Sequence, residues 1–365
     1  MLTSNAKMVS TASTATTFTA TTSTSTNSTA TASTATASPS RTLATTTFTS
    51  TSKMSTYQTT IPFDTTRPET ELSINSAVPT SINTESDGRV LMKPITFGGK
   101  GKSQGKFQYP NAVAVSAENE IYVLDVDNRR IQVFNKNGVF LRLFKTVYEV
   151  PGKEKQTIHP YDVAIDANGF VWVVGDIRDE LQVVQYSQIG KQMSTVDPKS
   201  STYFPAIAVN VLNGNIAVVT KGNTIFVFLP DGSVYNRFQL VGGVDVSFVT
   251  FNNEGNILFT DAMRNTVHEY TRDGDKLFQF GSKGRGEGQL RSPARICTDS
   301  SGNIFVSNVR NKRFDMFTSR GEFVRTVFST KSPVGLACGP DGQLVVTDAR
   351  SHTVTIIPRQ LVLSG

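Results

Sequence analysis

A short pattern recurs six times in this chain, and repetition at its spacing leaves few folds open. The copies read ENEIYVLD from Glu118, NGFVWVVG from Asn168, NGNIAVVT from Asn213, EGNILFTD from Glu254, SGNIFVSN from Ser301 and DGQLVVTD from Asp341. Each is a polar turn followed by a run of β-branched and aromatic residues, which suits a strand buried on both faces. A second hairpin follows in most units, as in RRIQVFNKNGVFL from Arg129 and KRFDMFTSRGEFV from Lys312. The best-preserved unit, residues 107–144, divides into four strand-like runs at 112–115, 121–124, 131–134 and 140–144. A spacing of about 40–50 residues with four strands per unit is that of β-propeller blades.

A single four-stranded meander leaves apolar faces and open edges, so it needs neighbours of its own kind. The expected fold is therefore all-β, a six-bladed β-propeller of four-stranded antiparallel blades over residues 88–365. The sixth unit supplies a third strand in HTVTIIPRQLVLSG from His352, without a clear fourth. The segment RVLMKPITFGG from Arg89 stands before FQYP as DKLFQFGSKGRGEG from Asp275 stands before the fifth unit. Residues 90–97 are thus expected to be the outer strand of the last blade, closing the ring.

Residues 1–87 are dominated by Ser, Thr and Ala. Few large apolar side chains are present to offset a backbone ordering cost of about 1–2 kcal/mol per residue, and the segment reads as a disordered tail. No run near Met1 has the apolar length of a signal peptide and no stretch suits a membrane span, which implies a cytoplasmic, soluble protein. Asn27-Ser28-Thr29 is a sequon that would matter in a secreted chain. Cys297 and Cys338 fall one residue out of phase when the repeats are aligned, so alternation points them to opposite sheet faces and predicts no disulfide.

The succession P-x-x-V-A-V, N/G-x-I-Y-V-x-D, N-x-R-I-Q-V-F, G-x-F and F-G-x-x-G-x-x-x-G-x-F resembles NHL repeats, and residues 88–365 resemble the C-terminal propeller of tripartite-motif NHL proteins. The pattern is strong at 107–144 and 290–328 and weak in the third unit. No RING, B-box or coiled-coil segment accompanies it in this sequence. The resemblance implies a non-enzymatic platform whose partners are single-stranded or hairpin RNA, or, alternatively, proteins met in ubiquitin ligation.

Catalytic chemistry finds little purchase in the residues. The histidines, His159, His268 and His352, occupy three different repeat positions and do not converge on one axis. Asn111, Asp162 and Asp245 lie near the starts of first strands, too few oxygens for a hard cation. Asp125, Asp261 and Asp348 recur blade after blade, as a carboxylate holding a tight turn would and a catalytic one would not. No cofactor or metal is expected.

Charge is unevenly placed. Antiparallel alternation puts the second-to-third turn and the connection to the next blade on one face of the ring, which carries a net of roughly +8, against roughly −5 on the other. The expected partner is RNA or an acidic protein surface, on a monomeric propeller away from membranes. The candidate contacts are Lys100, Lys102, Lys106, Tyr109, Asn111, Arg129, Arg130, His159, Tyr161, Arg178, Arg264, Lys283, Arg285, Arg295, Arg310, Lys312, Arg313 and Arg350. Arg295 owes its place to the resemblance, in which a first-strand Arg recurs. Tyr109, Tyr161 and Arg295 are expected to be exposed; Tyr203 and Phe204 flank the same face. Aromatic planes among cations offer stacking of about 1–3 kcal/mol per base beside phosphate contacts.

Overall fold

In the computed structural model, which describes residues 93–199, 205–220, 223–240 and 242–364, six four-stranded antiparallel sheets stand around a common axis. Blade 1 begins at the strand Pro110–Val115, blade 2 at His159–Ile165, blade 3 at Ala206–Val209, blade 4 at Val246–Phe251, blade 5 at Pro293–Thr298 and blade 6 at Pro333–Cys338. These first strands are innermost and each lies against the first strands of its two neighbours, blade 6 against blade 1 included.

The core is divided into interfaces. Among the described residues the buried apolar side chains form six clusters, one between each pair of adjacent blades. Every blade is covered on both faces, so its middle strands are largely buried, along their whole length in Ile121–Asp125, Ile257–Asp261 and Leu344–Asp348. This is why the recurring motif is continuously apolar rather than alternating. The outer strands alternate, as in Phe140–Lys145, because one side of them meets water.

The ring closes as the sequence predicts. Ile95–Gly98 pairs antiparallel with Thr353–Ile357 and completes blade 6. Residues 90–92 of the expected closure strand, the tail and the pair Tyr203 and Phe204 lie outside the described residues. After the third strand of blade 6 the chain forms a short helix, Arg359–Leu363, whose Val362 packs into the interface of blades 5 and 6. Among the described residues no helix is long and apolar enough to cross a membrane.

Cys297 and Cys338 are both free thiols, but opposite sheet faces do not keep them apart. The sulfurs of Cys297 and Cys338 lie 2.6 Å apart. Opposite faces of two adjacent blades look at each other in a propeller. The one-residue phase difference therefore brings the thiols together instead of separating them.

Candidate nucleic-acid interface

The turn between the second and third strands ends alike in every blade. Its last residue has a left-handed backbone: Arg129, Asp179, Asn223, Asn265, Lys312 and His352, with φ from 49° to 67°. Asn tolerates that conformation, while a long cationic side chain there costs strain of about 1 kcal/mol. In blades 3 and 4 the chain uses Asn. In blades 1 and 5 it uses Arg129 and Lys312, both exposed, and each projects from a short 3₁₀ turn, Val126–Asn128 and Val309–Asn311.

The next residue in each of these two turns has a different role. Arg130 is buried, pairs through Nε with Asp125 at 2.8 Å, and donates to the carbonyl oxygens of Lys102, Ser103 and Lys106. Arg313 repeats this in blade 5, pairing with Asp315 at 2.9 Å and donating to the carbonyls of Arg285 and Gly286. The acid and amide have changed strands between the two blades. Asp125 and Gln132 serve blade 1, whereas Asn308 and Asp315 serve blade 5. Arg130 is thus a correction to the expectation of a surface contact. Both arginines clamp the incoming loop, so that Lys100, Lys102 and Lys106, or Lys283 and Arg285, stand on fixed backbone.

A shallow cavity of about 300 Å³ opens beside the second clamp, lined by Arg285, Arg310, Asn311, Lys312 and Arg313. Around the ring, blade 5 is followed by blade 6 with exposed Lys331 and Arg350, then by blade 1 with exposed Lys100, Lys102, Lys106, Arg129 and Lys145. Tyr109 stands within this arc, 46% exposed on left-handed backbone, its N–H donating to Nδ1 of His352 at 3.3 Å. The cations therefore gather over blades 5, 6 and 1. Burial withdraws Asp125, Asp261 and Asp348 from this face, and with them Arg130 and Arg295. These three carboxylates do hold turns: Asp125 accepts from the N–H of Gln108, Asp261 from those of Met263 and Arg264, and Asp348 from those of Ser332 and Ser351. Lys145 and Lys331 belong in the patch and were visible in the charge count, but carried no motif.

The remaining candidates are not brought into this arc. Arg178 is exposed on blade 2 among Asp176, Asp179 and Glu180. Arg264 is tied to Asp261 and the carbonyl of Gly242 on blade 4. His159 lies 3.8 Å from Asp176 and edge-on to Tyr161 at 5.0 Å. Tyr161 is half-buried, not exposed, and burial together with a hydrogen bond to Asp176 pushes its hydroxyl up to about 12. Asn111 spends its amide on the carbonyl of Tyr161.

Arg295 is the largest correction. It is 7% exposed and reaches across the axis from blade 5 to the opposite blade 2, where it pairs with Asp162 and donates to the carbonyl of Tyr161. Its guanidinium stacks 3.9 Å above the ring of Phe248. Asp162 also accepts from the N–H groups of Val163 and Ile207, so its oxygens are committed. The pair closes the first-face end of a central cavity of about 750 Å³, which residues 295–300 and 336–340 line together with the other inner strands.

His268 is packed within blade 4. It is buried, stacks on Phe259 at 5.1 Å and shares a 2.9 Å hydrogen bond with Thr266. Burial holds its pKa down to about 4. The unfolded chain takes up a proton near pH 6.5 and the folded one does not, so this stabilisation is whole above 6.5 and lost as pH falls through 4. Melting temperature is expected to fall between pH 7 and 4.5 by several degrees more for the natural chain than for His268→Phe, from a linkage of up to about 3 kcal/mol. Parallel curves would remove His268 from this role. The raised pKa of the buried neighbour Glu269 acts in the opposite sense and is common to both proteins.

Residues 107–134 match the NHL repeat model. The chain is 28% identical over 290 residues to the E3 ubiquitin-protein ligase TRIM32 of Mus musculus, covering 71% of this chain and 43% of that protein. It is 30% identical over 142 residues to Protein brain tumor of Drosophila melanogaster, covering 39% of this chain and 13% of that protein. The chain spans less than half the length of either relative. Among solved structures, a gluconolactonase from Xanthomonas campestris superposes with a TM-score of 0.54 at 14% identity, covering 69% of this chain and 86% of that one. That likeness is one of fold.

Proposed function

We propose that this chain, an NHL-repeat propeller homologous to the propeller regions of TRIM32 and brain tumor protein, is a non-enzymatic platform that binds single-stranded or hairpin RNA. RNA lies over the cationic loops of blades 5, 6 and 1. The propeller runs from about residue 88, preceded by a Ser/Thr-rich tail, and works in the cytoplasm.

The observation that carries this reading is the use of Arg129 and Lys312 on left-handed backbone, where Asn223 and Asn265 occupy the equivalent turns of blades 3 and 4. A cation kept where it costs stability and makes no internal bond is explained by a partner. Phosphates meet these side chains and the fixed loop lysines, while Tyr109 offers a plane to a base. The name of one relative, an E3 ubiquitin-protein ligase, favours the second reading, a module that recognises proteins bound for ubiquitination.

A selection from random RNA separates the two when run on the full chain beside Arg129→Glu/Arg285→Glu/Lys312→Glu. The natural chain is expected to enrich sequences and to lose affinity steeply with salt. The variant is expected to bind weakly, with a log–log salt slope smaller by about 2 for three lost phosphate contacts. Arg129→Asn/Lys312→Asn is expected to melt no lower than the natural chain while also binding less RNA. No enrichment, or equal binding by the charge-reversed variant, sinks the RNA reading in favour of a protein partner.

A further inference from the structure

Neither an RNA nor a protein ligand explains the contact between Cys297 and Cys338. Both are free thiols, one on the innermost strand of blade 5 and the other on that of blade 6. They lie 2.6 Å apart, against about 2.05 Å in a disulfide, so a bond needs a shift of about half an ångström. Each strand is held in register beside its own neighbour, Cys297 opposite Phe305 and Cys338 opposite Leu344, so the thiols are presented to each other by two fixed sheets. Both also line the central cavity, which residues 166–167, 210–212, 252–253, 299–300 and 339–340 surround where the first strands end, on the face away from the Arg295–Asp162 pair.

We propose that Cys297 and Cys338 form a redox modification site, oxidised by hydrogen peroxide to a disulfide that staples blade 5 to blade 6. Cys297 as thiolate attacks a peroxide oxygen, the O–O bond breaks, and hydroxide leaves to give a sulfenic acid. The Cys338 sulfur displaces that hydroxyl as the S–S bond forms, and its proton leaves with the hydroxyl as water. Peroxide takes up the two electrons and a dithiol reductant returns them. Burial and the adjacent Cys297 sulfur hold the Cys338 thiol well above its usual range, so Cys338 enters second and gives up its proton only as it attacks the sulfenic sulfur beside it. The cavity admits peroxide from one side of the ring, opposite the cationic loops, so the modification requires no opening of the proposed RNA surface.

The staple joins residues 41 apart in sequence and fixes blade 6 on the side opposite its closure strand. The test is peptide mass analysis of the full chain, purified reduced and treated with stoichiometric peroxide. The expected product is one linked peptide pair containing Cys297 and Cys338, lighter by about 2 Da and reversed by dithiothreitol. Its formation is expected to raise the melting temperature by about 5–10 °C. Cys297→Ser and Cys338→Ser are each expected to show neither change. Sulfinic or sulfonic acid at either cysteine without the linked pair, linkage only between molecules, or two thiols unchanged in a chain whose methionines oxidise would each overturn the proposal. The mass result on the natural chain decides it even where a serine variant folds poorly.

Discussion

Removal of residues 1–97 is expected to lower the melting temperature by about 10 °C relative to removal of residues 1–88, which should leave it unchanged. The shorter deletion spares Ile95–Gly98, which pairs with Thr353–Ile357 and carries a Thr96–Thr355 hydroxyl contact of 2.9 Å. The longer one strips this strand and bares the edge of blade 6. Ile95 and Phe97 pack into the interface of blades 6 and 1, where Phe97 meets Phe134 at 4.6 Å between ring centres. Loss of two half-buried apolar side chains, at about 1–2 kcal/mol each, joins loss of ladder hydrogen bonds worth about 1 kcal/mol each net. Phe97 holds a place that recurs around the ring. Gly138 presses its turn against Phe97 as Gly190, Gly274 and Gly321 press theirs against Phe144, Phe238 and Phe280, each an outer-strand residue of the preceding blade. Coincident melts of the two truncated proteins would mean that the closure strand carries no weight in the ring.

The architecture was legible because it is repetitive. A turn and an apolar run repeated six times, with a second hairpin in five of the six units, state the blade, its strand order and even the missing strand, since each is a local pattern. Contacts between blades are another matter. Cys297 and Cys338 were assigned to opposite sheet faces correctly in register, yet facing sheets of a ring turn opposite faces toward each other. Arg130 and Arg313 look like surface cations in sequence, because nothing in N-x-R records that Asp125 and Asp315 wait on neighbouring strand positions or that loop carbonyls lie in reach. The location of the patch over blades 5, 6 and 1 did not follow from counting; it needed the clamped loops.

Arg295→Ala is expected to cost about 3–5 kcal/mol, the range for leaving a buried charge without its partner, and to lower the melting temperature by about 10 °C. Asp162, 2% exposed, would then face the cavity with two backbone N–H donors and no cation. The double change Arg295→Met/Asp162→Asn removes both charges, keeps one oxygen for the N–H of either Val163 or Ile207, which bind different oxygens of Asp162, and retains a long apolar chain over Phe248. It is expected to recover most of the loss, since a buried ion pair replaced by uncharged, packed groups is often near neutral. A double variant as unstable as Arg295→Ala would show that the two residues are not coupled across the axis. The same proteins separate the inner arginine from the outer ones. RNA affinity, where present, should survive in the folded double variant and fall in Arg129→Glu, because Arg295 is turned inward while Arg129 stands on the open face. A loss in both would place Arg295 in the contact surface after all, and would require the axial pair to open when RNA binds.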